Sequence, residues 1–279
     1  MTLYVVGCKG VITPSVVSAS IALRVARQVS LKPVIEAIMR VICKFLSVIW
    51  MAWIFQGLAL ADPVVAKNCL YKPTFLLLDD SWTAGTAFLV RIEGQTGLFL
   101  ITANHLFGPD AGLQKQMTPD DIASQVEGVA ALSMQDVSKN FWFPNFIKIA
   151  DADSVENQKY SKDLAIFKTS DIPELQVLEL ADAMPKKGDR VWVFARQRGD
   201  TTPTLCAATV VEADPDKLTY IFDNADYRLP GTSGAPVLDE QGKVVGMNLA
   251  GGTTSDKKFK GWANPVTAIR SELASVLKH

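Results

Sequence analysis

The sequence predicts an all-β protein built as a sandwich or a pair of barrels. Three observations carry that prediction. After residue 62 the chain breaks into short runs rich in Val, Ile, Phe and Thr; Gly-containing turn signals separate them; and one segment, near the C-terminal end, keeps a helical period. The runs are, in order, Phe75–Leu78, Thr86–Ile92, Leu98–Thr102, Phe146–Ile149, Leu164–Lys168, Arg190–Ala195, Cys206–Val211, Leu218–Phe222, Val237–Leu238 and Val244–Leu249. Glu93-Gly94-Gln95-Thr96-Gly97 and Asp239-Glu240-Gln241-Gly242 read as hairpin turns. Pro109–Ser124 is polar and carries Pro and Asp, so it reads as a surface insertion with one helical turn. Asp171–Pro185 joins the two halves, and Thr267–Lys278 sets Ile269, Leu273 and Leu277 four apart, the spacing of a terminal helix.

Charge divides the chain unevenly. Residues 1–44 hold Lys9, Arg24, Arg27, Lys32, Arg40 and Lys44 against Glu36 alone, and residues 45–61, FLSVIWMAWIFQGLALA, hold no charge. A basic flank, an apolar stretch and a small-x-small end, Ala59-Leu60-Ala61 before Asp62, form the pattern of a secretory signal peptide. Translation is expected to start at Met39, with 1–38 an upstream extension, 39–61 the signal segment and 62–279 the mature, secreted or periplasmic body. The rival reading keeps the segment as a membrane anchor with a basic cytoplasmic tail. The total net charge is −1, so the body is mildly acidic, which argues against a nucleic-acid partner. Cys69 and Cys206 remain after cleavage; in an oxidising compartment they form a disulfide or stay as two buried thiols. There is no CxxC pair and no HExxH, so no metal site is expected.

The chemistry points to Gly231-Thr232-Ser233-Gly234-Ala235-Pro236. A serine between glycines suits a nucleophile on a tight turn with its N–H groups turned to one point. A serine hydroxyl needs a base, and the base needs a third group to hold its tautomer. The chain has two histidines, His105 after the strand Leu98–Thr102 and the terminal His279, so His105 is the candidate base. Asp163 heads the apolar run Leu164-Ala165-Ile166-Phe167 and is the candidate orienting acid; Asp151 and Asp153 are its rivals. The order His, Asp, Ser excludes the Ser, Asp, His order of α/β-hydrolases.

Thr102-Ala103-Asn104-His105, Asp163-Leu164-Ala165 and Gly231–Pro236, in this order, resemble the three signatures of the trypsin-like (chymotrypsin-fold) serine proteases, nearer to the bacterial and Deg-like branches than to digestive trypsins. Lys187–Val193 resembles the opening strand of that family's second barrel, and Gly242–Gly246 the strand after the nucleophile. The resemblance implies two antiparallel six-stranded β-barrels, near 72–170 and 186–266, followed by the helix at 267–278. His105 and Asp163 would come from the first barrel and Ser233 from the second, with the backbone N–H groups of Gly231 and Ser233 as the oxyanion hole. It places Tyr227 near a pocket floor, Leu249-Ala250-Gly251 as the strand that pairs with substrate backbone, and Gly261-Trp262-Ala263 as another pocket wall. These imply a preference for small or apolar side chains over Arg or Lys.

Two departures carry meaning. Thr232 stands where digestive zymogens have the acid that receives a freed N-terminus, so activity is expected without such cleavage. Asn104 and Leu106 flank the histidine, so the local disulfide of animal members is absent. The expected function is an exported serine endopeptidase that acts on protein or peptide through an acyl-enzyme on Ser233, without a cofactor; membrane association requires an uncleaved signal segment. The alternatives are an esterase with the same triad and a non-catalytic binding module on this fold.

Overall fold

Buried apolar runs pair into two antiparallel sheets that each curl on themselves. In the computed structural model, residues 62–276 are described, apart from 174 and 228, together with Met39. The signal segment and the extension before it therefore lie outside the described residues, Met39 excepted. No described helix is long and apolar enough to cross a membrane.

Strands β1 (Leu70–Leu76), β2 (Ser81–Thr83), β3 (Ala87–Val90), β4 (Leu98–Thr102), β5 (Gly128–Ser133), β6 (Asn140–Phe143), β7 (Asn145–Ile147) and β8 (Ala165–Thr169) form the first sheet. Its order is β6-β5-β1-β3-β4-β8-β7, with β2 paired to β1. It is a nearly closed barrel. Strands β9 (Arg190–Ala195), β10 (Thr204–Ala213), β11 (Leu218–Phe222), β12 (Pro236–Leu238), β13 (Val244–Thr253) and β14 (Phe259–Pro265) close a six-stranded barrel in the order β10-β11-β14-β13-β12-β9. The two-barrel all-β architecture expected from the sequence is the one observed. The first barrel carries eight strands where six were expected: β6 and β7 are its two end strands, and the short β2 pairs with β1 off the main order.

β3 and β4 are buried at every position, which fits strands covered on both faces. The first core is aromatic: Phe107 lies 4.5 Å from Phe75, 5.7 Å from Trp82 and 6.2 Å from Phe167, centroid to centroid. Burying one such ring contributes about 2–3 kcal/mol. The second core gathers Val191, Val193, Cys206, Tyr220, Val237 and Val245.

Cys69 belongs to the first core and Cys206 to the second, and both are free, so the disulfide reading of the pair is corrected. Each thiol fills apolar space in its own barrel. Burial raises Cys69 to about 12 and Cys206 to about 11, which leaves both protonated and unreactive.

The insertion after β4 holds more helix than one turn. Two 3₁₀ turns, Asn104–Phe107 and Pro109–Ala111, precede helix α1 (Pro119–Gln125). Thr118 and Asp121 form a capping box at α1, and Pro119 at its first position has no N–H to leave unpaired. Helix α2 (Val266–Val276) buries Val266, Ile269 and Leu273. Its Arg270 guanidinium donates to the carbonyls of Leu180 (2.7 Å) and Ala181 (2.8 Å), which fixes the segment between the barrels. That segment also bridges to both sheets, Leu178 with Val90 and Leu180 with Val244.

Candidate active site

His105 sits on the 3₁₀ turn that leaves β4. The residues after it hold the turn down: Phe107 enters the aromatic core, and the Trp82 indole N–H donates to the Leu106 carbonyl at 2.9 Å. Asp163 is fully buried just before β8, and β8 pairs with β4 through Thr102 and Ala165. That pairing brings the acid to the imidazole. His105 Nδ1 lies 2.7 Å from Asp163 Oδ2, and the backbone N–H of His105 donates to Asp163 Oδ1 at 3.0 Å. The Val155 N–H also donates to Oδ2, at 2.8 Å. Three donors therefore hold one carboxylate, and the ring is locked with Nδ1 toward the acid and Nε2 away from it.

The rival acids are engaged elsewhere: Asp151 pairs with Lys162 and Asp153 with Lys159, each at 2.8 Å. Asn264 of β14 donates to the Asp163 carbonyl (3.3 Å) and to that of Ser161 (3.2 Å), so the second barrel braces the acid's loop.

Burial by itself lowers the His105 pKa. The hydrogen bond to Asp163, with the negative charges of Asp163, Asp110 and Glu156, outweighs it and leaves His105 above its ordinary 6.5. Ionic contact with a buried carboxylate thus favours the imidazolium.

Ser233 follows a turn that its neighbours dictate. The Thr232 N–H donates to the Leu229 carbonyl at 3.0 Å, and Gly231 has φ +85°. Proline at the second position and a positive φ at the third define a type II turn, and Gly231 adopts that φ without strain. Among the described residues no acceptor takes the N–H of Gly231 or of Ser233. Gly231 is exposed and Ser233 half-buried, so both donors are available to a ligand.

Behind the turn a buried network sets its position. The Tyr220 hydroxyl donates to Asn248 Oδ1 at 2.6 Å, and Asn248 Nδ2 donates to Thr232 Oγ1 at 3.1 Å. Thr232 Oγ1 donates onward to the Leu229 carbonyl at 2.7 Å. Thr232 therefore holds the turn through neutral hydrogen bonds. Such a buried set is rigid because each unpaired member would cost about 1–3 kcal/mol.

The two barrels meet at this loop. The Thr86 N–H donates to the Ser233 carbonyl at 2.7 Å, and Thr86 Oγ1 donates to the Gly231 carbonyl at 3.0 Å. A Cβ on Gly234 would lie 2.7 Å from Thr102 Oγ1, three residues before His105. A Cβ on Gly85 would lie 2.8 Å from both Leu106 Cδ2 and the Ser233 carbonyl. Glycine at 85 and 234 lets the serine loop approach the histidine turn to this distance. The Ser233 hydroxyl itself donates to the Leu249 carbonyl at 2.9 Å, and no hydrogen bond joins it to His105 in this conformation. Leu249 falls at a register shift between Asn248 and Ala250, and the bulge turns its carbonyl toward the serine.

A cleft of about 890 Å³ opens beside Ser233. Tyr227, Gly231, Leu249, Ala250 and Gly251 line it. Gly261 and Trp262 do not; that wall is Phe259. The register explains the correction. Strand alternation turns Trp262 outward beside Lys260, while Gly261 faces into the barrel, where a Cβ would lie 2.8 Å from the Tyr220 ring. Phe259 stacks on Phe222 at 5.3 Å, and Tyr227 meets Phe222 edge-on at 5.7 Å. Leu229, Pro230, Thr232, Asn248, Asp110 and Arg198 complete the lining. Of these, only Pro230-Gly231, a turn dipeptide, carried a readable signal in the sequence. No described cluster of His, Cys, Asp or Glu could hold a metal ion.

Residues 85–247, more than half of the chain, match the trypsin-like peptidase domain family. The chain has no match among curated proteins. In solved structures it is similar to the serine endoprotease from Yersinia pestis (TM-score 0.51, 13% identity, covering 76% of this chain and 64% of that one). It is also similar to the HtrA-type protease AlgW with tripeptide (TM-score 0.50, 16% identity, 77% and 62%). The chain thus spans less than two thirds of the length of either, and at these identities the likeness concerns the fold. With the family match over both barrels, the chain belongs to the trypsin-like peptidase domain family of serine proteases.

Proposed function

We propose that the chain is an exported serine endopeptidase that works through an acyl-enzyme on Ser233. The observation that carries this reading is the buried Asp163–His105 pair, 2.7 Å apart, on a turn flanked by Thr102 and Leu106, to which Gly85 and Gly234 bring a serine turn with two unspent N–H groups. Ser233 rotates its hydroxyl from the Leu249 carbonyl to His105 Nε2, a side-chain rotation of the picosecond-to-nanosecond class. His105 takes the proton as the oxygen attacks the peptide carbonyl. Asp163 stabilises the imidazolium that forms. The N–H groups of Gly231 and Ser233 receive the charge on the carbonyl oxygen, each such donor contributing roughly 3–4 kcal/mol to the transition state. His105 then protonates the leaving amine, and water releases the acyl group. Thr232 and Asn248 hold the donor turn in place without a freed N-terminus, which supports activity without zymogen cleavage.

The aromatic walls Tyr227 and Phe259, with Tyr227 rather than an acid at the expected floor, favour apolar side chains over Arg or Lys. Export rests on the apolar segment 45–61 and its basic flank.

The pH dependence tests the mechanism. The base must be neutral to accept a proton, and its pKa lies above 6.5. Accordingly kcat/KM on an uncharged peptide is expected to fall, as pH is lowered, through a midpoint above 6.5. A rate profile whose acid limb lies below 6.5 contradicts the assignment. Stability moves in the opposite sense. The raised His105 pKa contributes stability that is complete below 6.5 and is lost as pH rises through the folded value.

A further inference from the structure

We propose that Lys72, Arg196 and Arg198 form a subsite for an acidic side chain of the substrate, on the leaving-group side of the scissile bond. The proposal rests on Ser233 as the nucleophile and names the substrate class of that same site.

Ser233 has two different neighbours. Its hydroxyl faces the Leu249 carbonyl on β13, the bank expected to pair with the acyl half of a peptide. Its carbonyl accepts the Thr86 N–H, next to Gly85. A chain that runs along Leu249–Gly251 and past Ser233 continues toward the first-barrel edge at Gly85 and Thr86, whose N–H meets the Ser233 carbonyl. Lys72 lies under this point: its ammonium donates to the Gly85 carbonyl at 2.8 Å. An ammonium has three donors, and one is used there. Arg198 lines the cleft together with Gly231 and Ser233. Arg196, two residues before it on the β9–β10 hairpin, is close enough that its charge, after burial, contributes to lowering the Lys72 pKa.

Lys72, Arg196 and Arg198 enter no ion pair among the described residues, so a substrate carboxylate would have no protein counterion to displace. Asp110, on the first-barrel side of the cleft, pairs with none of them. Like charges gathered without a counterion repel, and a half-buried lysine among them is stabilised by an incoming carboxylate. A cleft with walls of low dielectric focuses that field on the bound chain.

The test uses peptides with one acyl half and Asp, Asn or Lys at the two positions after the scissile bond. The wild-type enzyme is expected to favour Asp over Asn by about 5- to 10-fold in kcat/KM, with Lys below Asn, the scale of a partly screened charge pair. Added salt, or Arg196→Gln with Arg198→Gln on the solvent-facing hairpin, brings the Asp-to-Asn ratio toward one. Equal rates for Asp and Asn, or a ratio unmoved in the double variant, overturn the subsite. The same peptides, carrying a fluorophore, are titrated onto Ser233→Ala. Cleavage without preference rejects the subsite and leaves the peptidase reading intact. Preferential binding of the Asp peptide by Ser233→Ala, with no cleavage by the wild type, keeps the subsite and rejects the peptidase reading. Neither cleavage nor preferential binding rejects both.

Discussion

Replacing Ser233 with Ala is expected to lower kcat by roughly 10⁵- to 10⁶-fold, the scale for loss of an activated nucleophile. The fold should be unaffected, because the Ser233 side chain contributes one hydrogen bond, to the Leu249 carbonyl, while its backbone keeps the bond from Thr86. His105→Ala is expected to cost about as much, and the double variant no more than either, since the two groups act as a unit. The histidine variant differs in stability. Asp163 is fully buried, and loss of the ring removes one of its three donors while the N–H groups of His105 and Val155 remain. A destabilisation of about 1–3 kcal/mol follows from the lost hydrogen bond to a buried charged group, read by chemical unfolding. Single-turnover kinetics on a purified peptide separates the chemical defect from the folding one.

Asp163→Asn is expected to lower kcat by roughly 10⁴-fold at neutral pH, as a carboxamide in this position selects the wrong imidazole tautomer. The geometry here makes the reason concrete. Both carboxylate oxygens accept N–H bonds, Oδ1 from the His105 backbone, Oδ2 from Val155 and from His105 Nδ1. An amide NH₂ on either side meets an N–H donor head-on. If it takes the Oδ2 side, it presses His105 to accept at Nδ1 and carry its proton on Nε2, where it cannot act as a base. Two of the influences that raise the His105 pKa, its hydrogen bond to Asp163 and that group's charge, also disappear. Residual activity should therefore show an acid limb at lower pH than the wild type. Activity within tenfold of wild type, with the limb unmoved, would show that Asp163 is a structural residue.

Much of this was legible in the sequence, for identifiable reasons. Leu98–Thr102, Arg190–Ala195 and Leu218–Phe222 read directly as strands because they are continuous β-branched or aromatic runs with clear turns at both ends. Gly128–Ser133 did not, because GVAALS has a glycine and two alanines, whose strand preference is weak, and it forms by pairing along the length of β1. Phe259–Pro265 was hidden by its glycine and proline, which the closed barrel tolerates where Gly261 packs under Tyr220. The histidine, the acid and the serine were readable as chemistry-bearing types in a telling order. The residues that arrange them were not. Val155, Asn264 and Thr86 act through backbone groups or across long separations, and the network from Tyr220 to Thr232 joins positions that no local pattern links. The wall formed by Phe259 in place of Trp262 was a matter of strand register, which is fixed only when β14 pairs with both β11 and β13.

The central claim is that His105 activates Ser233. Mass spectrometry after treatment with a serine-directed phosphonate tests it most directly. The account predicts one adduct per chain, mapped to the peptide that contains Ser233, absent from Ser233→Ala and suppressed at least a thousandfold in rate in folded His105→Ala. An adduct that forms on Ser233 at the same rate without the imidazole, or none on the folded wild-type protein, would contradict it.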